Sequence, residues 1–182
     1  MRSTMRCLVV LLVATVLPAS AAFAQSGLSS VVYEIRGGVL AHDLRLVAAS
    51  HVESGVSFNG EIAFAPSLPL WVGAIRPVIG GTLTTENGTS WGYVDARWEY
   101  SGSLFFFGIG LGASFNNGAT TFDQGNHKAL GSNVLFHIPL EVGLQFTPTD
   151  RVSAYYEHSS NAYTVSPNPG MDNLGLRLAH RF

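Results

Sequence analysis

From about residue 31 onward the chain repeats stretches of strand length in which every second residue is apolar. Val56, Phe58, Gly60, Ile62 and Phe64 stand against Ser57, Asn59 and Glu61, and Val94, Ala96 and Trp98 against Asp95, Arg97 and Glu99. Val134, Phe136, Ile138, Leu140, Val142, Leu144 and Phe146 stand against His137, Glu141 and Gln145. Side chains of a strand point to opposite faces with a period of two, so each stretch is an amphipathic strand and not a helix. Eight such strands are predicted, over 31–42, 56–65, 70–82, 92–101, 104–115, 133–146, 151–161 and 172–182. The fold class that follows is all-β.

The connections decide between the two all-β architectures open to such a chain. Those after strands two, four and six are short: Pro66 to Pro69, Gly102-Ser103, and Thr147 to Asp150. Those after strands one, three, five and seven are longer, running His42 to Gly55, Thr84 to Trp91, Asn116 to Ser132 and Ala162 to Met171. A soluble sandwich has no reason to sort its loops by length, whereas an antiparallel transmembrane barrel of the outer-membrane type does. Most of the strands are close to the roughly 9–11 residues that a tilted membrane strand needs. The chain is 47% hydrophobic and only 12% charged, yet no run beyond the leader reaches the about 18 apolar residues of a membrane helix. Aromatic residues collect at the short-turn ends (Tyr33, Phe64, Trp71, Trp98, Tyr100, Phe105, Phe146 and Phe182), as an interfacial girdle would.

Residues 1–24 read as a cleavable secretory signal. Arg2 and Arg6 precede an apolar stretch from Cys7 to Leu17, and Ala22-Phe23-Ala24 would place cleavage before Gln25. The sole cysteine, Cys7, leaves with it, so the exported part, 25–182, cannot rely on disulfides. That part is expected to form a single barrel domain in the bacterial outer membrane, with both termini and the short turns periplasmic and the long loops outside. No basic patch suggests nucleic acid.

Within that frame the last hairpin is anomalous. Val152, Ala154, Tyr156, His158 and Ser160 share one face of strand seven, and Asp172, Leu174, Leu176 and Leu178 share one face of strand eight. A serine, a histidine and a carboxylate are thus gathered on the greasy side, while Ser153, Glu157 and Ser159 show that the other side accepts polar groups readily. His158 and Ser160, two residues apart, lie about 6.6 Å from each other along the strand. Asp172 comes from the neighbouring strand of the same hairpin, within cross-strand reach if the register allows. A serine hydroxyl becomes a nucleophile when an adjacent base takes its proton and an acid orients that base. The blander reading is three polar residues where a hairpin leaves the membrane; for all three on the lipid face, function is the better account. Ser159, of opposite parity, serves as the control position.

The stretch His158-Ser159-Ser160-Asn161-Ala162, followed by Asn168 and an acid four residues later, resembles the lipid A deacylases of the PagL type, which are outer-membrane acyl-ester hydrolases. The resemblance is strongest over about the last 30 residues. It implies His158 as general base, Ser160 as nucleophile and Asp172 as orienting acid, with Asn168 contributing to an oxyanion site and Asn161 supporting it. It also implies a substrate, the lipid A of lipopolysaccharide cut at an ester-linked chain, the 3-position first in line, in contact with outer-membrane lipid and without a cofactor or metal. The sequence departs from the pattern at Asp172, where the best-known members carry Glu. Two alternatives stay open: a non-enzymatic structural or adhesive barrel, and a phospholipase or acyltransferase using the same residues. Whether two copies pair as a homodimer is likewise open.

Other motifs are weaker. Gly108-x-Gly110-x-x-Ala113 formally fits a dinucleotide fingerprint, but no helix pattern follows it, and strand glycines facing a crowded interior are the expectation. His42, His51 and Glu53 could hold a metal in the first long loop, but their spacing is not diagnostic and solvated loop residues are the expectation. Asn87-Gly88-Thr89 reads as a turn.

Overall fold

The computed structural model describes residue 27, residues 29–122 and residues 127–182. The predicted signal and its cleavage site lie outside the described residues. Among the described residues nine strands are formed: β1 (Val32–Leu44), β2 (Val56–Phe64), β3 (Leu68–Leu70), β4 (Gly73–Thr84), β5 (Trp91–Ser101), β6 (Phe105–Asn116), β7 (Val134–Gln145), β8 (Asp150–Ser160) and β9 (Met171–Arg181). Every strand pairs antiparallel with its neighbours, β9 returns to β1, and β2 pairs with β4, so eight long strands close into a barrel. Closure leaves the eight long strands no row of unpaired backbone groups, which hydrocarbon would not tolerate.

One connection differs from expectation. Pro66 to Pro69 is not the turn between the second and third long strands. The chain stays extended through β3 and reverses at Trp71-Val72, where Leu70 pairs with Gly73 and Trp71 takes a positive φ of 54°. Because β3 pairs only with β4, the missing N–H of Pro69 can face away from the ladder, and proline loses its force as a turn signal.

Parity holds around the barrel. Ile35, Val39, Phe58, Ile62, Ile79, Val94, Phe107, Ile109, Phe136, Val142, Leu176 and Leu178 lie exposed on the outer wall. In water such a surface would drive aggregation; in lipid it is the solvated face. The inner positions are packed with charge. Arg36 donates to Glu34, to Glu61 at 3.0 Å, to Glu99 at 2.7 Å and to Glu141 at 3.2 Å. Arg177 bridges Glu61 and Glu141, Arg97 reaches Glu61 at 2.9 Å, and Arg151 reaches Glu99 at 2.6 Å. Toward the long-loop end, His137 sits between Asp95 and Glu157 and stacks on Tyr93, with ring centroids 4.2 Å apart. Gly108 and Gly110 lie in β6, with no helix following among the described residues, and a Cβ on Gly110 would come within 2.8 Å of Arg97 Nε. The glycines make room for the arginine layer, as a crowded interior demands.

Candidate active site

The hairpin of β8 and β9 sets the register that the sequence left open: His158 and Asp172 are directly opposed. Opposed side chains on one face of a sheet lie close enough to bond, and Asp172 Oδ1 accepts from His158 Nδ1 at 2.6 Å. A carboxylate can only accept, so Nδ1 carries a proton, and in the neutral ring the lone pair is on Nε2. The shorter acid therefore reaches the histidine unaided. Ser160 follows two residues on, half-buried like His158, and its cross-strand partner is Phe136. Glu157 and Ser159 are buried on the lumen side, where Glu157 accepts from Thr82 and Asn173, and Ser159 Oγ lies 3.3 Å from Ser114 Oγ.

Asp172 is fully buried even though its neighbours of like parity, Leu174 and Leu176, are exposed. The loop after β1 covers it. Its Oδ2 accepts the backbone N–H groups of Leu46 at 3.0 Å, Val47 at 2.6 Å and Ala48 at 2.7 Å, while Oδ1 takes the Tyr156 hydroxyl at 2.8 Å besides the imidazole. Five donors thus fix the acid, and four of them were missed from the sequence. Tyr156 was within reach, since it shares parity with His158. The three N–H groups were not, because no side-chain pattern marks a backbone that folds over a carboxylate. Gly170, at φ 67°, backs the imidazole: a Cβ there would come within 2.8 Å of His158 Cε1.

The two asparagines divide their work. The Asn168 side-chain oxygen accepts the Asn161 backbone N–H at 2.9 Å, which leaves the NH2 as its remaining donor. Asn161 is buried and ties the last loop together, donating through Nδ2 to Leu130 O and Pro167 O, each at 2.9 Å. The expectation for His42 and Glu53 needs correcting. They are buried rather than solvated and bond to each other at 2.8 Å, while His51 Nδ1 bonds to the Asp43 carbonyl. Burial alone would raise the Glu53 carboxyl, but hydrogen bonds from His42, Thr89 and the Lys128 N–H more than offset it and hold the pKa at about 2. No group of three or more acidic, histidine or cysteine side chains suited to a metal occurs among the described residues.

A closed eight-stranded wall that is apolar outside and ion-paired inside defines a β-barrel of the outer-membrane type. Solved structures of this class share the fold. A crystal structure of the outer membrane enzyme PagL superposes with a TM-score of 0.59 at 20% identity, covering 81% of this chain and 99% of that one. A neisserial surface protein A does so at 0.51 and 12%, covering 82% and 97%, and a de novo designed transmembrane barrel at 0.52 and 9%, covering 82% and 95%. The family model of the lipid A 3-O-deacylases (PagL) matches residues 55–181, and the chain belongs to that family. The lipid A deacylase PagL of Bordetella bronchiseptica is 33% identical over 86 residues. That match takes in 47% of this chain, which spans about half, 46%, of the relative's length.

Proposed function

We propose that the chain is a serine esterase of the bacterial outer membrane that removes the ester-linked acyl chain at the 3-position of lipid A. The observation that carries this reading is the His158–Asp172 bond on the outer wall, with Ser160 on the same face. In the proposed reaction, His158 Nε2 takes the proton of Ser160 Oγ as Oγ attacks the ester carbonyl carbon. The Asp172 carboxylate stabilises the imidazolium that forms. In this reading the Asn168 NH2, whose partner oxygen is engaged by the Asn161 N–H, donates to the developing oxyanion. Collapse breaks the bond to the sugar oxygen, which leaves as an alcohol with the proton from His158. Water, deprotonated by the same imidazole, then frees the fatty acid and restores Ser160.

The position on the wall suits such a substrate. Phe136 and Ile138, opposite Ser160 and His158, continue the apolar surface beside the site. The chains of an outer-leaflet lipid can therefore lie along the barrel while the ester meets the serine, without extraction into the lumen. The test is mass spectrometry of lipid A from cells producing the protein. Loss of one hydroxyacyl chain is expected with the parent and with Ser159→Ala, and unchanged lipid A with Ser160→Ala at equal heat-modifiable barrel. Equal hydrolysis by Ser160→Ala refutes the assignment.

A further inference from the structure

Three of the five donors to Asp172 come from the segment Leu46 to Ala48, which has no ladder of its own. A buried polar knot holds that segment. Asp43, at a left-handed φ of 49°, accepts the N–H groups of Val52 at 2.7 Å and Glu53 at 2.9 Å through Oδ2. Its Oδ1 takes the ammonium of Lys128, which also donates to the Ser50 carbonyl. Lys128 is 1% exposed and comes from the loop between β6 and β7. Its backbone N–H is spent on Glu53 Oε1 at 2.8 Å, beside Thr89 Oγ1 at 2.7 Å. One ammonium from the third long loop thus grips the first at both Asp43 and Ser50, on either side of the three N–H groups.

We propose that Lys128 is a positioning residue: its buried ammonium fixes the loop over 45–53, whose N–H groups set Asp172 and, through it, the ring of His158. An ammonium sealed from water is costly unless it is fully paired, and this one spends its bonds on the loop that carries the N–H groups. Without it, Ser50 loses its donor and Asp43 its counter-charge. The loop can then drift, Asp172 Oδ2 loses aligned donors, and the imidazole loses its fixed orientation. A misplacement of about 1 Å in such a system lowers turnover by about 100-fold. The proposal rests on the esterase reading above.

Residues 25–182 contain no cysteine, which permits a chemical rescue. Lys128→Cys is refolded in detergent micelles either as it is or after aminoethylation of the unfolded chain, which rebuilds a side chain ending in an ammonium at the length of lysine. The unalkylated variant is expected to fold to a heat-modifiable barrel with kcat lower by about 100-fold and KM within about twofold. Hydrogen exchange at residues 46–48 should lose its protection, and aminoethylation should restore both. Lys128→Met combined with Asp43→Asn, which leaves no charge buried alone, should fold with the same low kcat. Parental kcat in either variant overturns the proposal, as does a low kcat with the 46–48 amides still protected. A Lys128→Cys chain that folds only when aminoethylated assigns Lys128 to folding instead and also overturns it. A parent that releases no acyl chain refutes the esterase reading, and the exchange arm then still decides whether Lys128 holds the loop.

Discussion

Replacing Asp172 by Asn tests the site most directly, because the five donors leave the amide no good orientation. If its oxygen takes the place of Oδ2, it keeps the N–H groups of Leu46, Val47 and Ala48, and its NH2 faces His158 Nδ1 and the Tyr156 hydroxyl. The ring must then present Nδ1 as acceptor, so the proton moves to Nε2, which can no longer take one from Ser160. If the amide is flipped, NH2 faces three N–H groups and three charge-assisted bonds of about 1.5–3 kcal/mol each are lost. The first orientation therefore wins. In serine triads, an aligned acid replaced by its amide lowers kcat by about 10⁴-fold, or about 5.4 kcal/mol at 1.36 kcal/mol per tenfold. Stability should fall less, by about 3 kcal/mol, because three charged acceptor bonds become neutral ones of roughly half the strength. The assay is acyl release from purified lipid A in mixed micelles, normalised to heat-modifiable protein. Turnover by Asp172→Asn within about tenfold of the parent would refute the tautomer argument.

Three further outcomes follow. Gly170→Ala places a Cβ against His158 Cε1 in a left-handed backbone that costs an L-residue about 1–2 kcal/mol; kcat should drop at least about tenfold, and full activity in a folded variant would show that the ring has slack. Single cysteines at Tyr156 and Ser160, coupled to a fluorophore, should be quenched by lipid-chain spin labels, while those at Glu157 and Ser159 should not, and the reverse pattern would mean a strand displaced by one residue. The Glu53 carboxyl lies at about 2 against an ordinary 4.5, so its contribution to loop stability is complete above 4.5 and lost as the pH falls toward 2. Hydrogen exchange over 45–53 should accelerate across that window in the parent, and Glu53→Gln should flatten the dependence.

The wall was legible because its code is short: a period of two, read locally, assigns Phe136 outward and His137 inward without knowledge of any partner. The same parity marked His158, Ser160 and Asp172 as misplaced polar groups. What could not be read was contact at a distance. Pairing of His158 with Asp172 depends on register, and the ten-residue loop from Asn161 to Gly170 permits several. Pro69 misled because a proline rule ignores whether the neighbouring strand is there to be bonded. His42 and Glu53 looked like solvated loop residues because their burial is made by Thr89 and Lys128, which arrive from two other loops.

The ionic filling of the barrel bears on how the chain can enter a bilayer. Arg36 is neutralised by Glu141, 105 residues away, and Arg177 by Glu61, 116 residues away. Arg36 has Glu34 on its own strand, but its bond to Glu141 and both carboxylates of Arg177 come from strands that are not neighbours of the arginine's own and meet it only across the closed lumen. β9 crossing alone would carry Arg177 bare through hydrocarbon, at about 2–4 kcal/mol for an arginine near the midplane. A β1–β2 hairpin would hold Arg36 with Glu34 and Glu61, but a β8–β9 hairpin inserted by itself would carry Arg151 and Arg177 without any of their carboxylates. The favourable route is concerted: the ring curls shut at the membrane surface and sinks as a unit, its charges already matched on the inside.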